Sequence, residues 1–211
     1  VIIIVGIALV AVVVVAGAVL LVTMFGKSGS ALRRLVLATR VPISEVRGGE
    51  VVKIQGRIGS LGTQPTVTLV DGHETVCSHV NLTYHHRGSR FVEADRHGSF
   101  AVSDGTAEAV IHTDNVTIQY GDRAATGQLD SASIVGWVRT TLERDGLQFS
   151  GTPAGHVDID EQYLAPGDEV AVLGVARWES GDATTSGRPR LIIAADSEDG
   201  VVISGQSSTF D

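Results

Sequence analysis

The chain's only cysteine and four of its seven histidines fall in one stretch, "DGHETVCSHVNLTYHH", residues 71–86. Thiolate and imidazole are the ligands zinc prefers, and a Cys beside a His is also a nucleophile–base pair. "HETVC" has the i, i+4 spacing of a zinc-protease motif, which works only on a helix, where both ligands share a face. Here Thr and Val alternate with polar residues, and that period of two is the mark of a strand. On a strand, Val76, Val80, Leu82 and Tyr84 point one way, and Cys77, His79, Asn81, Thr83 and His85 point the other. Cys77 and His79 are therefore the candidate metal ligands, with His73, His86, His97 or His112 as further donors. Zinc needs four ligands, or three and water, and no second pair at standard spacing accompanies them. The stretch reads as a strand with outward histidines and a packed sulfur. Neither a metal or other cofactor nor a catalytic residue is assigned.

The other polar groupings read structurally. In "SDGTAEA" Asp104 and Glu108 flank a hairpin turn in which Asp-Gly supplies the positive φ. "HVDIDE" offers Asp158, Asp160 and Glu161 but lacks the glycine and spaced ligands of a calcium loop. No phosphate-binding glycine loop and no serine elbow occurs. Trp137 and Trp178, with Phe91, Phe100 and Phe149, are too few to form a base-stacking platform. Trp178 ends a strand and is expected to close a barrel.

The elements that must position these residues are mostly strands. Short runs rich in Val, Ile and Thr occur at 50–58, 66–70, 75–84, 90–94, 98–104, 107–113, 168–178, 190–196 and 200–205, separated by Gly, Asp and Pro. The expected fold is mainly β, an OB-like or composite barrel or sandwich, over residues 42–208. "GEVVKIQG" (49–56) and "GDEVAVLG" (167–174) echo each other with equal glycine spacing. A duplication of OB-like units and a repeated way of starting a hairpin both account for the echo. Residues 121–156 read as a long insertion or loop, and no strong amphipathic helix is evident after residue 41.

The N-terminus is different. Residues 1–25 carry no charge and one polar side chain, Thr23. As a helix they would span roughly 37 Å at the usual rise, enough to cross a bilayer core about 30 Å thick. A signal peptide fits less well, because the apolar run is long and no basic segment precedes it. The reading is a single transmembrane helix. Lys27, Arg33 and Arg34 follow it, and the positive-inside rule places the C-terminal domain in the cytoplasm. Residues 26–41 read as a juxtamembrane hinge, "GKSGS", and a short helix whose Leu32, Leu35 and Leu37 lie along the membrane. The formal net charge is −8, and the acidic domain is unsuited to nucleic acid, whose binding depends on neutralising phosphates.

Several stretches together resemble the GIDE family, also called the BAM ("beside a membrane") domain. They are "LATRVPISEVRGGEVVKIQGRI" (37–58), Cys77 at the start of its strand, "FAVSDGTAEAVI" (100–111), "DEQYLAPGDEVAVLGVAR" (160–177) and "LIIAADSEDGVVISGQS" (191–207). The resemblance covers about residues 31–208. It implies a membrane-anchored β-domain like that of mitochondrial RING-type E3 ubiquitin ligases, here without the RING. A RING holds zinc with paired Cys/His ligands, and this chain has one Cys. The expected function is therefore a non-catalytic, membrane-adjacent scaffold with an unidentified protein partner. Three alternatives stand beside it: an NfeD-like membrane OB protein, an accessory to a ligase whose RING is supplied in trans, and a metal-dependent hydrolase using Cys77 and His79.

Overall fold

The computed structural model describes residues 27–59, 66–85, 89–130, 136–144, 156–179, 189–196 and 200–210. In chain order, helix α1 (Lys27–Leu37) leads into strands β1 (Val51–Gly59), β2 (Thr66–Val67), β3 (Glu74–Thr75), β4 (Cys77–His85) and β5 (Ser89–His97). Strands β6 (Phe100–Ser103), β7 (Glu108–Ile111), β8 (Val116–Gln119) and β9 (Ala124–Asp130) follow, then helix α2 (Gly136–Arg144). Strands β10 (His156–Leu164), β11 (Glu169–Glu179), β12 (Arg190–Ala194) and β13 (Val201–Ser204) complete the fold.

Five strands close a barrel in the order β1-β6-β7-β12-β11, with β11 returning to β1. Only the β7–β12 pair is parallel within this ring. That is the OB-fold arrangement of a five-stranded Greek-key barrel. Alternate residues such as Ile54, Ile58, Phe100, Val102, Val172 and Ile193 fill its interior. Strand β13 continues along β11 beyond β12, and β8 pairs with β13 as the last strand of that sheet.

The two echoed segments are partners within one barrel, not the starts of two OB units. They form β1 and β11, paired antiparallel with Ile54 opposite Val172 and Gly56 opposite Val170. Gly49 donates its N–H to Ala176 O, and Gly167 donates its N–H to Ile58 O, both at 2.8 Å. Both leading glycines have φ of 89°, the left-handed region glycine enters without penalty. The closing glycines permit close approach. A Cβ on Gly56 would lie 2.4 Å from Ser103 O, and one on Gly174 would lie 2.7 Å from an Ile193 methyl. Immediately after each, the strand takes up a new neighbour: β6 from Arg57 and β12 from Val175. The repeat encodes two equivalent bends of one barrel.

A second sheet is built entirely from insertions. Strands β2–β5 interrupt the barrel between β1 and β6, and β8–β10 with α2 interrupt it between β7 and β11. The second sheet is antiparallel, in the order β5-β4-β10-β9. The two insertions meet at the β4–β10 pair, from Cys77 opposite Leu164 to His85 opposite His156. The inner face buries Val80, Leu82, Val92, Val157 and Ile159 against Val138 of α2 and against Leu69 and Val70. Glu161 is fully buried on that face; its Oε2 accepts the Leu69 N–H at 2.7 Å, and Arg96 lies 3.8 Å from its Oε1. This carboxylate ties the β2–β3 hairpin down.

Three expectations change, and one region gains detail. Residues 27–30 are helical rather than a hinge, because α1 begins at Lys27. Leu35 faces the barrel and not a membrane, buried with Ala171, Leu173 and Val202, while Leu37 is exposed. Ala31, Leu35 and Ala38 form the stripe that makes this packing possible. Within 121–156, read as an insertion or loop, β9 and α2 are described. Trp178 is 49% exposed at the end of β11, over Gly48, and does not close the barrel. Among the described residues no helix is long and apolar enough to cross a membrane, and the transmembrane helix expected over 1–25 lies outside them.

Candidate functional site

The alternation expected for 77–85 is present. Val80, Leu82 and Tyr84 enter the dry side of the second sheet, and His79, Asn81, Thr83 and His85 are half-buried on the other face. Cys77 shares that outer face but lies where the sheet meets the barrel. It is 1% exposed and belongs to the barrel core with Phe100 and Leu164. Burial pushes its thiol up to about 12, despite a backbone hydrogen bond with Gly98 that pulls it down. A thiol that stays protonated at neutral pH is neither a nucleophile nor a ready zinc ligand. His79, its neighbour on the face, is engaged elsewhere, with Nδ1 2.8 Å from Asp95 Oδ1.

The proposed additional donors do not join them. His73 is exposed beside Asp71, 3.3 Å away. His97 Nδ1 is 3.2 Å from Thr113 Oγ1. His112 is held at the barrel by its N–H, which donates to Ile193 O at 2.9 Å. His86 and Phe149 lie outside the described residues. The acids of "HVDIDE" separate onto opposite faces of β10, with Asp158 and Asp160 outside and Glu161 inside. Asp104 has a structural role. Its carboxylate accepts N–H groups from Ile43 at 2.8 Å and Thr106 at 2.8 Å. Partial burial acts to raise its pKa, but these hydrogen bonds outweigh it and hold the group at about 2. Gly105 beside it has the positive φ expected of the turn.

Two features on the outer side of the second sheet carry chemistry. The first is a cleft of about 490 Å³ between that sheet and the barrel extension. One wall is β8 and the residues up to Gly121; the other is formed by His79, Asp95 and His97. Val201 donates its N–H to Asn115 O and Gly205 donates to Gln119 O, so Asn115, Thr117 and Gln119 turn their backbone groups to β13. By alternation Val116 and Ile118 aim theirs away from it, along the edge with no strand partner among the described residues. The Tyr120 hydroxyl is buried at this cleft without a hydrogen-bond partner. Burial, reinforced by Cys77, Asp95 and Glu161, raises its pKa.

The second feature lies at the far end of the β4–β10 pair. His85 and His156 are directly opposite, with ring centroids 4.8 Å apart and stacked. Asp158 Oδ2 is 2.8 Å from His85 Nε2, and Asp158 Oδ1 is 3.9 Å from His156 Nε2. Ser89 Oγ is 3.1 Å from His85 Nδ1, and Gln128 donates to Asp158 Oδ1 at 2.8 Å. The Gln128 amide, followed by His85 and His156, holds the Asp158 carboxyl below its ordinary value. Among the described residues this is the one group of three or more ligand-type side chains with converging donor atoms. The outward position of His85 follows from alternation. Its meeting with His156 and Asp158 does not, because 73 residues separate His85 from Asp158. The signal available was the His-x-Asp-x-Asp alternation of 156–160, a strand with one wet face.

No protein-family model matches the chain, and no curated protein matches it in sequence.

Proposed function

We propose that this chain is a membrane-tethered, non-catalytic β-module that holds an extended segment of a protein partner along the outer edge of β8. The observation that carries this reading is that edge itself. Among the described residues the outward main-chain groups of Val116 and Ile118 have no strand partner, and they line the cleft of about 490 Å³; main-chain pairing to such an edge is a recurrent mode of peptide capture. Asp95 on the opposite wall favours a segment carrying a basic side chain. The tether is supported by the apolar residues 1–25 and by α1, which begins two residues later and is docked on the barrel. A module so held stands close to the bilayer, on the cytoplasmic side by the positive flank.

The sheet built around inserted strands supports the GIDE-like reading, including a role beside a ligase that supplies its RING in trans. The closed five-stranded barrel with β8 and β13 outside it supports the NfeD-like reading. Both are interaction modules on membranes. A hydrolase built on Cys77 and His79 draws less support, since the thiol is buried and protonated.

The test uses the full chain in detergent micelles against an array of extended peptides. We expect binding that Ile118→Pro weakens at least roughly tenfold, because proline removes the outward N–H while leaving the β13 ladder in place. Asp95→Asn weakens binding to peptides with Lys or Arg, and Asp160→Ala leaves it unchanged. An array without binders, or binders indifferent to Ile118→Pro in a protein of unaltered circular dichroism, contradicts the reading. Extraction of the chain from native membranes by alkaline carbonate contradicts the tether.

A further inference from the structure

We propose that His85, His156 and Asp158 form a zinc site that staples the two insertions together across the β4–β10 seam. One donor atom from each of the three lies within 4.8 Å of the other two. Tetrahedral zinc, with bonds of about 2.0–2.2 Å, places its ligands roughly 3.3 Å apart. Asp158 Oδ2 is 2.8 Å from His85 Nε2, and its other oxygen, Oδ1, is 3.9 Å from His156 Nε2, so the carboxylate already reaches both rings. Small side-chain rotations bring the three donors onto one ion, since both imidazoles already stand on the same face of directly opposed residues.

The surrounding groups favour metal over a plain ion pair. A ligating histidine characteristically donates its second ring N–H to a fixed acceptor, and ligating carboxylates are themselves hydrogen-bonded. Ser89 Oγ stands at His85 Nδ1 and Gln128 Nε2 at Asp158 Oδ1, so both orienting contacts exist. With Nδ1–H directed to Ser89, Nε2 presents its lone pair to the ion. Two imidazoles with one carboxylate suit zinc and its borderline neighbours; magnesium and calcium prefer all-oxygen sites. The side chains of His85 and Asp158 are 33% and 48% accessible, which leaves the ion an entry path and a fourth position for water.

The same residues contain a Ser89–His85–Asp158 chain of the kind found in hydrolases. The larger cleft is lined by other residues, including His79 and His97, and provides no substrate site beside Ser89. The metal reading uses all five groups; the hydrolase reading leaves His156 and Gln128 without a part. The site is independent of the peptide-edge reading, because His85 and β8 lie at different ends of the outer face.

The experiment strips the full chain with EDTA in detergent micelles and titrates ZnCl2 against a chromophoric chelator, with Co2+ as a spectroscopic substitute. We expect one equivalent bound, tetrahedral cobalt bands, and a rise in Tm on adding zinc. His156→Ala and Asp158→Asn each weaken zinc binding by roughly tenfold or more, and Ser89→Ala produces a smaller loss. His79→Ala, a histidine outside the group, leaves affinity unchanged. Absence of saturable binding, or equal loss with His79→Ala and His156→Ala, overturns the proposal. Binding that survives the double change His85→Ala/His156→Ala overturns it as well.

Discussion

Strands β1 of the barrel and β4 of the second sheet, each of 9 residues, are used to different ends. In β1 of the barrel, Val52 to Gly56 are all buried: the inward face meets the core, Arg40 and Val41 pair beside Lys53, and Gln55 bonds Glu169. In β4 of the second sheet burial alternates from His79 onward, because one face is covered and the other is wet. Stability therefore concentrates in the barrel, and chemistry concentrates on the outer face of the sheet. A surface free of packing demands can hold the histidines, Asp95 and Asp158 that a core would exclude.

Three pairs of substitutions and one single change test that account, each measured by urea unfolding of the full chain in detergent. The largest effect is expected from two phenylalanines. Phe100 is 1% exposed in the barrel and Phe91 is 61% exposed on the sheet. Phe100→Ala costs about 4 kcal/mol, and Phe91→Ala about 0.5 kcal/mol or less. Equal losses would break the comparison.

Next come the glycines of the repeat. Gly56→Ala drives a methyl into the Ser103 carbonyl and costs about 3 kcal/mol. Gly49→Ala meets no atom within 4 Å and suffers only from its positive φ, about 1 kcal/mol. The reverse order would mean that bending at β6 is not what Gly56 provides.

Leu35→Ala follows, at about 2.5 kcal/mol, with Leu37→Ala near zero. Leu35 is buried against the barrel and Leu37 is 72% exposed. If Leu37 proved the costlier site, α1 would be packed on something other than the barrel.

Last comes Asp104→Asn, at about 1–2 kcal/mol at neutral pH after allowance for solvent screening. Its folded pKa of about 2 lies below the ordinary 3.8. A depressed carboxyl contributes stability that is fully present above the unfolded value and is lost as pH falls from about 4 to about 2. The wild-type chain and the Asn variant should therefore converge in stability below that window. A constant difference down to the lowest pH would contradict the assignment.

Much of the fold was legible because its strands obey simple patterns. Val-rich alternation marked β1, β4 and β11, and the turn glycines delimited them. Strand β10 was not legible as a strand, since His156, Asp158, Asp160 and Gln162 make its outer face strongly polar and Glu161 interrupts its inner one. Strand β9, "AATGQLD", is built from residues with little strand preference and is held by pairing with β10. The echo of 49–56 and 167–174 was visible, but its meaning depended on knowing that the two copies pair. Cys77 and His79 were correctly placed on one face, while only the sheet junction shows that the sulfur is dry. The His85 group depends on two insertions meeting, which local spacing does not encode.

The most direct test of the central claim is amide hydrogen exchange with and without the best peptide from the array. The account predicts that the Val116 and Ile118 amides slow at least roughly tenfold on binding, because they acquire strand partners. It also predicts that amides of β5 and β9, the outer strands of the second sheet among the described residues, stay as they were. Protection that appears on β5 or β9, with β8 unchanged, would contradict it.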